Sequence, residues 1–291
     1  MVVVVNGAYG FIGRAVASRL EADGETVVRC GRPSEEIPSA GWSARLAGAA
    51  PDVVVHCAGP ASVGASIEDP AADRAGSVDV LEAVLGEVGR LPRPPRFLLV
   101  SSAAVYGDPG VLPIAETAPP APVSPYGRHR LLCERLLSER HRGRELPVAV
   151  ARVFSAYGEG LRRQLLWDVA RQALDGGVVA LSGTGEETRD FLHVEDVARA
   201  LATIAREAAF ADERINVASG EETTVRAVAE RLTAELGGAR VEFDGRERSG
   251  DPRRWRADVT ALRALGFGPA VPLDAGLARY ARWARAEHGR R

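Results

Sequence analysis

The stretch VVVVNGAYGFIGRAV, residues 2–16, decides the fold. Four valines in succession leave no polar alternation, as expected of a strand buried on both faces. The run passes directly into three glycines, Gly7, Gly10 and Gly13, and into a helical segment that opens with Phe11 and Ile12. Glycine at such a turn lets the backbone approach a pyrophosphate closely, and the amides that open the helix face the anion. The stretch therefore predicts a dinucleotide site formed by Gly7, Gly10, Phe11, Ile12 and Gly13.

Working outward, TVV (26–28), DVVVH (52–56), RFLLV (96–100) and VAVARVF (148–154) repeat the apolar, β-branched pattern. Helical candidates at 11–24 and 72–89 alternate with them. The order predicts an α/β fold, a doubly wound parallel sheet of the Rossmann type, with a second, smaller substrate lobe. The expected dinucleotide-binding domain is 1–155, with 190–217 returning to it. Residues 156–189 and 218–291, where glycine-rich connections loosen the pattern, form the expected substrate-binding lobe. Proline density excludes regular structure at 91–96 and 107–125, and the second stretch reads either as a pocket wall or as a surface excursion. The basic RYARWARAEHGRR (279–291) reads as a solvated helix end.

The 291 residues are 46% apolar and 26% charged, enough for a large core. A net charge of -2 offers no basic surplus for nucleic acid or an anionic membrane surface. MVVVV lacks the form of a signal peptide, and no apolar run approaches the roughly 18 residues of a membrane span, so a cytoplasmic protein is expected. Cys30, Cys57 and Cys133 are odd in number and widely spaced, which argues against a disulfide framework or a metal site and for buried small hydrophobes. The chain contains no lysine; all 37 basic residues are arginine.

Further motifs follow in order: SSAAVYG (101–107), Tyr126 with a basic residue four places on, RVFSAYGEG (152–160), TRDFLHVEDVARA (188–200) and SGDPRRWRAD (249–258). With the Gly-x-x-Gly-x-x-Gly spacing, they resemble the extended branch of the short-chain dehydrogenase/reductases, the NAD-dependent epimerase/dehydratase family that modifies nucleotide sugars. The resemblance implies that Ser102 hydrogen-bonds the oxygen being oxidised or reduced and that Tyr126 is the general acid/base. A phenol needs nearby positive charge to serve as a base at neutral pH. The family supplies a lysine, which also holds the nicotinamide ribose; here that place is Arg130.

Ser124 as N-cap and Pro125 as first helical residue start a helix before Tyr126. Helical phase then puts Tyr126, Arg130, Cys133 and Leu137 in one stripe, away from Arg128 and Arg135. Two departures from the family accompany Arg130: Asp73 where an asparagine of the proton-relay region usually lies, and Ser155 where an asparagine often touches the substrate.

The resemblance also implies Ala58 and Gly59 beside the cofactor, Arg189 and Arg248 on a substrate diphosphate, and a homodimer through helices at 72–89 and 126–142. Arg162 and Arg163 are further phosphate candidates, whereas His56 and His193 read as structural. In RCGRPS (29–34), Gly31 stands where NAD-selective relatives carry an acid, and Arg32 suits a 2'-phosphate. NADP is therefore the favoured cofactor, with NAD as the alternative should Glu35 or Glu36 reach the ribose.

Dehydratases of this family carry Asp-Glu directly after the catalytic hydroxyl residue; here the pair is Ala103–Ala104. The expectation is an NADP-dependent 4-ketoreductase acting on a nucleoside-diphosphate sugar. Its alternative is a 4-epimerase with retained NAD. The reading from another class is a non-catalytic NADP-binding protein.

Overall fold

A computed structural model of the chain describes residues 1–31, 37–143, 146–246 and 252–289. The first half runs β1 (Val2–Asn6), α1 (Phe11–Ala22), β2 (Thr26–Cys30), α2 (Ala40–Ala49), β3 (Val53–His56), α3 (Val63–Glu68), α4 (Pro70–Arg74), α5 (Val80–Val88), β4 (Arg96–Ser102), α6 (Pro125–Arg142) and β5 (Val148–Val153). There follow β6 (Ser155–Tyr157), α7 (Gln164–Asp175), β7 (Val179–Leu181), β8 (Thr188–Arg189), β9 (Phe191–His193), α8 (Val194–Glu207) and β10 (Ala211–Val217). The chain closes with β11 (Thr223–Thr224), α9 (Val225–Glu235), β12 (Val241–Phe243), α10 (Thr260–Ala264) and α11 (Leu273–His288).

Six strands form one parallel sheet in the order β10-β5-β4-β3-β1-β2. The valine runs are explained by its two covered faces. Val3, Val5, Val53, Val55 and Leu98 point into a core shared with α1 and α8, while Val4, Val54, Phe97 and Leu99 point into one shared with α2, α5 and α6. Every second residue changes face, so a fully apolar strand satisfies both. Each side chain removed from water contributes about 1.5–3 kcal/mol. The chain leaves β1 in one direction to reach β2 and returns on the other side to β3, so the order reverses between β1 and β3. That reversal opens a crevice at the carboxyl ends of these strands.

The helix expected over 72–89 is not uniform. It divides into α4 and α5 around a π-helical segment, Ala75–Asp79. The basic C-terminal stretch also differs from a solvated end: α11 buries Leu277, Tyr280, Ala281 and Ala284 against α7 and α9. Arg282 and Arg285 stay exposed, and the apolar positions between the arginines carry the packing.

One buried ion pair locks α6 to the sheet. Arg152 on β5 donates from Nη2 to Glu134 Oε2 at 2.7 Å and from Nε to Oε1 at 3.1 Å, and Ser101 Oγ donates to the same Oε1 at 2.6 Å. The two side chains are only 4% and 2% exposed. Breaking such a pair leaves an uncompensated interior charge. Glu134→Ala is expected to lower unfolding stability by about 3–5 kcal/mol in urea denaturation.

Candidate active site

Gly10 through Gly13 wrap the crevice after β1 as the turn into α1. Gly10 is the N-cap and brings no side chain to the first amides. A Cβ at Gly13 would stand 2.2 Å from Gly7 O, so a side chain there would break the turn. These open amides and the close backbone fit the pyrophosphate of a dinucleotide. Gly10, Phe11, Ile12, Gly13 and Gly59 line one cavity of about 640 Å³. Gly7 and Ala58 stand behind it, back to back: a Cβ at Gly7 would meet Ala58 N at 2.7 Å. Cys57 lines the cavity and is only half-buried, unlike the fully interior cysteine expected. Burial, opposed by the charge of Arg130, pushes its thiol up to about 12, so it is no nucleophile at neutral pH.

The same cavity receives Ser102, Tyr126 and Arg130. Ser102 ends β4, and its Oγ accepts from Ala104 N at 3.2 Å at the start of a short 3-10 turn. α6 begins as its sequence predicts, with Pro125 in its first turn and Ser124 Oγ accepting from Gly127 N at 3.1 Å. A Cβ at Gly127 would lie 2.5 Å from Ala104 O. Only glycine allows α6 to start this close to the turn after β4, and that approach brings Tyr126 to the Ser102 end of the sheet. Ser66 Oγ accepts from Tyr126 N at 3.1 Å from the other side.

Arg130 is 5% exposed and points inward with Cys133 and Leu137. Its guanidinium carbon lies 5.2 Å from the Tyr126 ring centroid, and Nη2 donates to Pro60 O. Burial alone would lower its pKa, but Tyr126, Cys133 and Asp73 outweigh that and hold it above the ordinary arginine value. His56 is a core residue: Asn6 Nδ2 is 3.0 Å from its Nδ1, and Phe97 stacks on its ring. Burial, aided by Arg130, pushes its pKa down to about 3, so it is neutral.

Ser155 and Arg189 line the same cavity. Arg189 Nη1 donates to Thr188 O at 2.8 Å, and its guanidinium lies 5.5 Å from the Trp255 ring centroid. Arg163 lines the cavity, whereas Arg162 turns away to Glu287 and the Trp283 ring. The long 107–125 segment is a pocket wall, contributing Gly107, Val123 and Ser124. His193 is structural: it is buried, 3.0 Å from Glu159 Oε2, and its Nδ1 accepts from Glu195 N. Arg32 and Arg248, with Glu35 and Glu36, lie outside the described residues.

Several lining residues carry no local signal in the sequence. Gln164 Nε2 donates to Ala61 O at 3.2 Å, tying the start of α7 to the segment after β3. Arg253 and Trp255 reach the cavity because Arg253 pairs with Asp108 and Trp255 Nε1 donates to Gly107 O. Among the described residues no cluster of His, Cys, Asp or Glu could hold a metal ion, and no helix is long and apolar enough to cross a membrane.

Residues 3–218 match the NAD dependent epimerase/dehydratase family. The chain is similar to a UDP-glucose 4-epimerase of Mycolicibacterium smegmatis, 31% identical over 306 aligned positions that cover 96% of this chain and 97% of the relative. The solved structure of MoeE5 with UDP-glucuronic acid and NAD superposes with a TM-score of 0.88, at 30% identity over 99% of this chain and 100% of that one. RMD from Pseudomonas aeruginosa, complexed with NADPH, superposes at 0.87, with 25% identity over 98% and 99% of the two chains.

Proposed function

The chain belongs to the NAD dependent epimerase/dehydratase family, and from that premise we propose that it inverts C4 of a nucleoside-diphosphate sugar with a retained NAD. The observation that carries the reading is one cavity shared by the glycine turn, Ser102, Tyr126 and Arg130, with Ala103 and Ala104 where elimination would need two carboxylates. The expected ketoreductase gives way to its alternative here. Its case rested on Gly31 and Arg32, of which Arg32 lies outside the described residues, and the similarity to a 4-epimerase spans nearly both chains.

Bound NAD supplies oxidation at C4 and the reduction that reverses it. Tyr126 takes the proton of the C4 hydroxyl and gives it back, while Ser102 Oγ donates to the same oxygen. Arg130 stabilises the phenolate and holds the nicotinamide ribose, beside Gly59. Gly7, Gly10, Phe11, Ile12, Gly13 and Ala58 shape the dinucleotide seat. Inversion requires the keto sugar to present both faces in turn. The nearby wall of Ala104, Val123 and Phe154 suits this, since it offers few polar atoms to fix one face. Ser155 meets the sugar, and Arg189, with Arg248, meets the diphosphate through charge-assisted bonds. A homodimer through α4, α5 and α6 belongs to the same reading.

The test is incubation with UDP-glucose, dTDP-glucose and their 4-epimers without added cofactor. The expected result is interconversion, with NAD released from the denatured protein. Stoichiometric consumption of NADPH against a 4-keto sugar nucleotide, without interconversion, would overturn it in favour of the reductase. Dinucleotide binding without any turnover would leave a non-catalytic binder.

A further inference from the structure

A buried acid and a half-buried histidine lie behind the candidate site, and the chemistry above gives them no part. Asp73, at the end of α4, is 4% exposed, and its Oδ2 is 2.6 Å from His129 Nδ1 on α6. The backbone switches to π-helical geometry immediately after α4, and Ser77 Oγ donates to Asp73 O at 2.6 Å. The widened turn brings Gly76 against the Gly59–Pro60 corner: a Cβ at Gly59 would be 3.3 Å from Gly76 O and 3.0 Å from Arg130 Nη2. Pro60 O is the acceptor of Arg130. The π segment, the corner and the guanidinium therefore form one packed unit.

Arg130 is a permanent cation in the interior, and its hydrogen-bond acceptor, the Pro60 carbonyl, is neutral. Its Nε, a donor, has no protein partner; neither has Asp73 Oδ1, an acceptor. The other ionisable groups around it supply no free anion. On α6, Glu134 is committed to Arg152, and burial keeps the Cys133 thiol at about 11. At the end of β3, His56 is neutral and the Cys57 thiol protonated. Tyr126 is itself the group that Arg130 faces. Asp73 is what remains, and His129 holds it by one oxygen.

We propose that Asp73, held by His129, is the buried counter-charge of the Arg130 cation. Both are positioning residues: they act on the phenol through the charge balance around the arginine. The same anion opposes ionisation of Tyr126, so its removal makes the phenolate easier to form.

The proposal concerns the site read above as an epimerase, and its test uses the intact chain without substrate or dinucleotide, so the two fail separately. The ultraviolet titration of Tyr126 is measured by difference against Tyr126→Phe. The chain has five tyrosines. Burial pushes Tyr106 up to about 12 and Tyr157 and Tyr280 higher still, and the difference removes the remaining tyrosine background. Asp73→Asn is expected to lower the Tyr126 midpoint by about half to one pH unit. A midpoint within about 0.2 pH unit of the parent, or above it, overturns the proposal. Asp73→Ser serves if the asparagine variant does not fold. If neither folds, His129 decides: Asn places an N–H where His Nδ1 was, so a fall in His129→Ala absent from His129→Asn supports the proposal, and equal midpoints overturn it.

Discussion

Tyr126→Phe leaves a folded protein whose turnover falls by about 10²–10⁴-fold, the contribution expected of a positioned proton donor and acceptor. The substitution removes one oxygen and keeps the ring that faces Arg130 at 5.2 Å, so the contact with the guanidinium survives. Its amide still donates to Ser66 Oγ, and the Ser124 cap is untouched. Initial rates at saturating substrate, with melting temperature and dinucleotide content measured alongside, check the result. Turnover within about threefold of the parent would remove Tyr126 from the chemistry.

Arg130→Ala is expected to act on rate and stability together. Turnover at neutral pH falls by at least about 100-fold, because the cation that favours the phenolate is gone. Removing a cation raises the pH at which a neighbouring acid ionises, so the rising limb of the pH profile moves upward. Arg130 is buried, and its loss leaves the Pro60 carbonyl without its donor, which costs about 1–3 kcal/mol. Melting temperature therefore drops in the substrate-free protein. A pH profile that only scales down, without moving, would give Arg130 a binding role and no share in the proton transfer.

What the sequence made legible was local. The valine runs stood out because strands covered on both faces have no polar side, and the glycine turn because a backbone contact excludes side chains. The phase of α6 placed Arg130 inward because 3.6-residue periodicity follows from the helix alone. Contacts between distant segments were not legible. Asp73 and His129 meet across 56 positions, and neither shows a partner in its own neighbourhood. The π segment had no compositional mark. Trp255 and Arg253 reach the cavity through bonds to distant segments, the proline-rich one and Thr188 of β8. The preference for NADP hung on Gly31, which brings no acid, and on Arg32, which lies outside the described residues.

The cationic residues that line the cavity, Arg130, Arg163, Arg189 and Arg253, are all guanidinium groups. On the proposed function, a carbonyl sugar turning over in such a pocket would meet no side-chain amine with which to condense, since arginine stays protonated where a lysine would intermittently be free. The enclosure is thereby immune to imine trapping by its own occupant, and a transient ketone can linger there without tethering itself to the wall.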